Sequence, residues 1–282
     1  MIGLILGGLI ATALVSAALM LMGGLSLTEI MEMSQKGTMD FSPTLIRGLL
    51  MVQHMLTFII PGLAFGLIFY QSKFLTGLDL GKNPGLPLIV LGIFFLMAAY
   101  PLVNLSFLVN EAVPLPAWAS AFESQAEDTL KAILQMDTPW MFLLNLVIIA
   151  ILPGIGEELI FRGILQKQIG GMLKNPIVAI WLSAIIFSAI HLQFEGFLPR
   201  MVLGVVLGYL YHWTGNLWVP MLAHAFNNGI QIALIYATGM DVTSFDEKSS
   251  DQLQWWMLPI SIAVMYFIAT AIHKNRKVSE QV

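Results

Sequence analysis

The sequence predicts an all-α fold, a polytopic membrane helical bundle of about eight transmembrane helices. Three observations predict it. Hydrophobic residues make up 57% of the 282 and charged residues only 11%, where a soluble domain carries about 25% charge. The mean hydropathy is +0.81. The apolar residues also fall in runs of the roughly 20 residues that a helix needs to cross the hydrocarbon core, and no series of alternating ten-residue strands suggests a barrel.

Each apolar run predicts one element. Ile2 to Leu25 has neither the basic start nor the small-residue cleavage pattern of a signal peptide, and its apolar run is too long for one, so an uncleaved span is expected. Leu45 to Tyr70 contains Gly62-xxx-Gly66, a spacing that lets helices approach closely. Leu86 to Val109 follows. Between Asn110 and Pro139, Glu123, Glu127, Asp128 and Lys131 interleave with Phe122, Ala126, Leu130 and Leu134 at helical spacing, which predicts an amphipathic helix on the membrane surface. Trp140 to Gln168 and Pro176 to Leu192 form a hairpin turning near Gly170, Gly171 and Asn175-Pro176. Leu198 to Trp213 carries Gly204-xxx-Gly208, and Leu217 to Ala237 and Trp255 to His273 complete the set. No internal repeat or linker divides the chain. Residues 1–282 are read as one integral membrane domain, with residues 140–237 as the part that carries the polar motifs described below.

Basic residues orient the bundle. With the N-terminus inside, the cytoplasmic connections hold Lys73, Lys82, Lys167, Lys174, Lys274, Arg276 and Lys277, and the outer ones hold Lys36, Arg47, Lys131, Arg200 and Lys248. That bias predicts cytoplasmic termini, in a multi-pass protein of the bacterial inner (plasma) membrane. A net charge of −4 offers no basic stripe, so nucleic acid is not an expected partner. The oligomeric state has no signature in the chain.

The absence of cysteine excludes disulfides, thiolate nucleophiles and iron–sulfur clusters. No serine sits in an elbow-like turn with a base beside it, and Ser183 and Ser188 are expected to bond to helix carbonyls. Carboxylate, imidazole and carboxamide chemistry remains, with or without a metal.

That chemistry has an address. Glu157 and Glu158 stand in Gly156-Glu157-Glu158-Leu159-Ile160-Phe161-Arg162, a charged island in an otherwise apolar run. An ionisable group at mid-membrane costs roughly 2.5 to 3.5 kcal/mol on insertion scales, so such residues persist where they are partnered or useful. Glu158 and Arg162, Phe187 and His191, and His224 and Asn228 are each four residues apart, hence each pair shares a helix face. The hairpin puts Glu157 and His191 at comparable depth, offset by roughly one 5.4 Å turn. His224 lies roughly 14 Å into its helix at 1.5 Å per residue. Three helices can therefore bring Glu157, His191 and His224 to one buried point.

Hydrolysis by an activated water suits that point. A carboxylate shielded from bulk solvent can act as general base, a step worth roughly 10² to 10⁴ in rate, and an imidazole can share it. A second imidazole and a carboxamide can donate to the oxyanion formed when a peptide carbonyl is attacked. The same donors, Glu157, His191 and His224, could instead ligate zinc with one position open for water. The ligand count leans toward zinc; a site without any metal is the alternative.

The set Glu157-Glu158-xxx-Arg162, Phe187-xxx-His191 and His224-xxx-Asn228 resembles the three motifs of the CAAX prenyl protease and bacteriocin-processing family of intramembrane endopeptidases (CPBP, or Abi, proteins). The resemblance covers Glu157 to Asn228. It implies that Glu157 with His191 activates the water, that His224 with Asn228 stabilises the oxyanion, that Glu158 supports the site and Arg162 orients the glutamates, with Phe187 packed beside them. It also implies eight helices, a cavity reached from the cytoplasmic side, and a peptide or membrane-protein substrate, such as a leader peptide or bacteriocin, taken from the lipid bilayer.

Other roles compete for the same residues. Glu158 and Arg162 could be a buried ion pair fixing the bundle, and His224, Asn227 and Asn228 could be interhelical hydrogen-bond partners. His54 is expected to bond within its span, and His212 and His273 to lie near membrane boundaries. A proton-coupled transporter would bury similar groups, but inverted halves and paired broken helices are missing from the sequence. Histidine ligation of haem would not need adjacent glutamates. A non-catalytic immunity or scaffold protein would keep all three motifs only by accident.

Overall fold

In the computed structural model, residues 2–26, 28–30, 41–115, 117–239 and 254–279 are described. Lys36 and Lys248, assigned above to outer connections, lie outside them. The helices are α1 (Ile2–Met22), α2 (Pro43–Gly77), α3 (Leu86–Glu111), α4 (Ala117–Leu134), α5 (Pro139–Leu173), α6 (Pro176–Ala189), α7 (Phe197–Thr214), α8 (Trp218–Thr238) and α9 (Met257–Ser279). The bundle is all-α and membrane-like.

The helix starts follow local chemistry. Ser42, Thr138 and Asn175 each accept a bond from a first-turn amide and precede a proline, the arrangement that satisfies orphan N–H groups and pre-sets φ. Proline also breaks α3: with no amide at Pro101, the helix tightens at Ala99 between Leu86–Ala98 and Tyr100–Glu111. The carbonyl of Ala98 is then taken by the Ser261 hydroxyl of α9 at 2.6 Å.

Eight spans are expected from the sequence; among the described residues α1, α2, α3, α5 and α9 are long and apolar enough to cross a membrane by length and composition alone. The reasons differ for the other three. α6 is apolar but has only 14 residues. α7 and α8 are long enough, yet they carry Arg200 and His212, and His224, Asn227, Asn228 and Gln231, which dilute their hydropathy. The helix expected between Asn110 and Pro139 is present as α4, with Lys131 and Glu127 paired at 2.6 Å across one turn.

Arg47, Lys167 and Arg200, counted above as loop charges, lie within helices and are held by internal bonds. Arg47 of α2 is 3% exposed and donates to Asn145 Oδ1 at 2.9 Å and to the Ile133 carbonyl at 2.7 Å. Lys167 of α5 reaches Asp79 Oδ2 at 2.8 Å and the Gly77 carbonyl. Arg200 of α7 binds Gln193 through both its side-chain and backbone oxygens. Each tethers a connecting segment to the bundle.

The helices run alternately between two faces. The start of α1, the α2–α3 connection, the α5–α6 and α7–α8 turns and the end of α9 share the first face: Leu217 N donates to Asp79 O, Asn216 to Lys82 O, and the His273 ring lies against Trp213. α4, the α6–α7 turn and the junctions flanking them share the second, where Asn110 bridges Phe194 and Leu198 and Trp118 meets Phe194. Close helix approach relies on missing side chains. A Cβ at Gly154 would stand 2.8 Å from the Ala225 amide nitrogen, so only glycine lets α8 press against α5 beside the glutamates.

Candidate active site

α5 is not a uniform α-helix. Two π turns, Leu146–Ile151 and Phe161–Gln166, bracket the α-helical stretch Leu152–Ile160 that carries Glu157 and Glu158. Each π turn widens the helix by a residue, a distortion found mostly at functional sites. A third, Met55–Ile59, lies on the neighbouring α2 and packs against the Leu152–Ile160 stretch.

The glutamates face different partners. Glu158, fully buried, places Oε1 2.5 Å from Arg162 Nη1 and 2.8 Å from His224 Nδ1. Arg162, 1% exposed, also donates to the Gly204 carbonyl at 2.8 Å, and its guanidinium lies over the Phe187 ring at 5.0 Å. Such a cation–ring contact adds about 0.5 to 2 kcal/mol. Phe187 sits edge-on to His191, His224 and Phe161. It is the wall against which the site is assembled.

Glu157 has a separate environment. Its Oε1 is 4.0 Å from His191 Nε2 and its Oε2 is 3.9 Å from His224 Nε2. The other ring nitrogens fix what these two offer. His191 Nδ1 is 2.8 Å from the Phe187 carbonyl, which can only accept, so Nδ1 carries the hydrogen and Nε2 is left as a bare lone pair. His224 Nδ1 donates likewise to Glu158, which leaves its Nε2 turned toward Glu157. A residue from each of α5, α8 and the α6–α7 turn thus meets at one point, as spacing along the chain predicts.

The backbone around His191 is held with care. α6 ends at Ala189, and Leu192, directly after the histidine, has φ of +55°, a left-handed conformation that is uncommon for a non-glycine residue. The turn is fixed by Asn110, whose amide donates to the Phe194 carbonyl at 2.7 Å, and by Glu123 of α4, which accepts from the amides of Phe194 and Glu195. Neither Asn110 nor Glu123 stands near the motifs in sequence.

Asn228 has a more local partner than the sequence suggests. Its amide donates to the Ile149 carbonyl at 3.1 Å and its oxygen accepts from Asn227. Pro153 has no N–H to offer Ile149, four residues before it, so Asn228 supplies the missing donor. Asn227 accepts from the Tyr100 hydroxyl at 2.8 Å, an interhelical bond of the kind expected. Asn228→Ala should therefore destabilise the protein by about 1 to 3 kcal/mol through an orphaned carbonyl. A fall in turnover with no change in thermal stability would instead mean that the amide serves the substrate.

His54 departs from expectation. Its Nδ1 is buried with no hydrogen-bond partner, rather than bonded within its span, and it lies close enough to His191 and His224 to act on both electrostatically. No motif surrounds it; the only cue was a histidine placed deep in an apolar run. Ser183 and Ser188 donate to the Phe161 and Phe197 carbonyls, as expected of membrane serines.

The donor types suit zinc. Their spacing does not: donors of a tetrahedral ion with bonds of about 2.0–2.1 Å stand roughly 3.3 Å apart, and these stand 3.9 and 4.0 Å apart. Among the described residues no group of three or more His, Asp or Glu side chains is arranged to hold a metal ion. A water bonded to both partners at about 2.7–3.2 Å per bond spans such a gap.

Residues 139–230 match the family described as type II CAAX prenyl endopeptidase Rce1-like. Among curated proteins, the chain is 34% identical over 84 residues to the uncharacterized protein YpbD of Bacillus subtilis (strain 168), covering 28% of this chain and 40% of that one. It is 30% identical over 114 residues to the "Putative membrane peptidase YdiL" of the same organism, covering 39% of this chain and 44% of that one. The chain thus spans less than half the length of the curated relatives it matches. No solved structure matches it.

Proposed function

We propose that the chain is an intramembrane endopeptidase in which Glu157 and His191 activate a water for attack on a peptide bond. The observation that carries this reading is one buried carboxylate whose two oxygens face the Nε2 atoms of His191 and His224, that of His191 being a bare lone pair. The match of residues 139–230 to a membrane endopeptidase family supports it independently.

The steps follow from the atoms present. Water held between Glu157 and His191 gives a proton to the carboxylate as its oxygen bonds to the scissile carbonyl carbon. Negative charge then builds on the carbonyl oxygen. In its imidazolium form, His224 keeps Nδ1–H on Glu158 and offers Nε2–H to that oxyanion. The proton on Glu157 passes to the amide nitrogen as the C–N bond breaks, yielding a carboxylic acid and an amine, and the acid's proton then passes to that amine to leave a carboxylate and an ammonium group. Glu158 and Arg162 take no part in the transfer; they fix the ring of His224. The buried setting selects a peptide or membrane-protein substrate delivered within the bilayer.

Metal content separates the two chemistries left open by sequence. Purified, active protein should read near zero zinc, and a strong chelator should leave its turnover unchanged. About one zinc per chain, with activity lost to the chelator and regained on adding zinc, would replace direct water activation by a metal-bound water while leaving the peptidase assignment intact.

A further inference from the structure

His54 stands beside the site without taking part in its bonds. α2 and α5 run in the same direction, and two contacts set their register. Arg47 bonds to Asn145, 98 residues on, and a Cβ at Gly156 would stand 2.9 Å from the Cβ of Phe58, the same interval. That register puts His54 level with Leu152, about five residues short of Glu157, or roughly 7 to 8 Å along the helix axis. Its ring leads to the site. It lies 5.7 Å from the Phe58 ring, and Phe58, Phe161, Phe187 and His191 follow one another in ring contacts of 6.5, 5.1 and 5.0 Å. An unbroken row of rings thus joins His54 to His191, and both His191 and His224 lie within electrostatic reach of it.

Hydrogen bonding sets this histidine apart. His191 and His273 each hold Nδ1 2.8 Å from the carbonyl four residues back. His54 Nδ1 is buried and has no partner among the described residues, although the residue as a whole is only half-buried. An unpaired buried nitrogen costs stability and contributes nothing to the resting bundle. With Nδ1 unanchored, the ring can turn about χ2, whose profile is broad, and present a nitrogen to a chain lying beside it.

Peptide chemistry supplies a fitting ligand. Cutting a chain within a membrane requires unwinding it around the scissile bond, and the freed N–H and C=O groups find no water there. A neutral imidazole offers one donor and one acceptor, the inventory of a peptide group. An extended chain advances about 3.3–3.6 Å per residue, so a group roughly 7 to 8 Å from Glu157 faces the peptide about two residues from the bond being cut. We propose that His54 is a substrate-binding residue that hydrogen-bonds the freed backbone peptide group about two residues from the scissile bond. The ligand class rests on the peptidase reading above; the placement and the unpaired ring do not. Because the bond is made to the bound chain before and during attack alike, it lowers KM rather than raising kcat.

The probe is a short apolar peptide with a fluorophore and a quencher at its ends, selected from a mixed-sequence pool for cleavage by the wild-type protein. His54→Phe keeps the ring contact with Phe58 and removes both nitrogens. It should raise KM roughly tenfold and leave kcat within about twofold, while the protein unfolds at or above the wild-type temperature, because no bond of the resting bundle is lost. His54→Gln, which restores a donor and an acceptor, should recover most of the loss in KM. An unchanged KM in His54→Phe, a fall in its unfolding temperature together with its kcat, or a KM that glutamine fails to lower would overturn the proposal. Binding of the same peptide to Glu157→Gln, with and without His54→Phe, keeps the two readings apart. Equal binding with an inactive Glu157→Gln removes only the His54 contact; weaker binding to the double variant beside a fully active Glu157→Gln removes only water activation by Glu157.

Discussion

Glu157→Gln is expected to abolish peptide cleavage while folded protein accumulates to nearly the wild-type level. Glutamine keeps the shape of the side chain, which is 5% exposed, yet cannot take the proton that the attacking water must lose. The loss expected for removing a general base alone is roughly 10² to 10⁴. It should be larger here, because the same group must return that proton to the leaving amine. Stability should change little, since Glu157 lies 3.9 Å or more from both imidazoles and no ion pair of hydrogen-bonding length depends on its charge. The measurement is single-turnover cleavage of a confirmed substrate beside detergent-solubilised thermal unfolding. Full activity in this variant sinks the water-activation scheme.

Arg162→Met has its large effect elsewhere, on folding. Arg162 and Glu158 are 1% and 0% exposed and meet at 2.5 Å. Removing one member of such a pair leaves an uncompensated buried charge and costs about 3 to 5 kcal/mol. That is a large share of the roughly 5 to 15 kcal/mol that separates folded from unfolded in an ordinary domain. Most of the variant should be lost from the membrane or unfold at a lower temperature. The double change Glu158→Leu with Arg162→Met should recover folded protein, because an apolar pair of similar volume is often tolerated. It should stay inactive, since His224 has lost the acceptor on Nδ1. A double variant no more stable than Arg162→Met would mean that the arginine acts through the Gly204 carbonyl instead.

Much of this arrangement is visible in the order of residues. Apolar runs mark the helices because lipid leaves a chain few alternatives to internal bonding, and the helical spacing of Glu158 with Arg162 and of Phe187 with His191 marks the facing sides. What the sequence hides is long-range. Arg47 reads as a loop charge until Asn145 and the Ile133 carbonyl are brought to it across the bundle. Asn228 reads as a free donor because nothing local reveals that Pro153, on another helix, has left Ile149 without its bond. The π turns are equally invisible, since they answer to packing rather than to composition. α8 misses the hydropathy of a lone span because it carries His224 and Asn227, which it turns inward, and a residue count cannot tell a lipid-facing side chain from one enclosed by neighbours.

α6 sets the local relation between protein and lipid. Its 14 residues rise about 21 Å, against a hydrocarbon core about 30 Å thick, and its outer surface bears exposed Trp181, Leu182, Ile185 and Ile186. A short apolar element forces the surrounding bilayer to thin, at a fraction of a kcal/mol for each ångström of mismatch. Acyl chains beside α6 must then compress, and the water boundary sinks toward the depth of His191. Under the proposed peptidase reading, a hydrophobic substrate sliding along this flank would lose part of its lipid cover before it reached Glu157, and the dent in the membrane would do some of the unwrapping that cleavage needs.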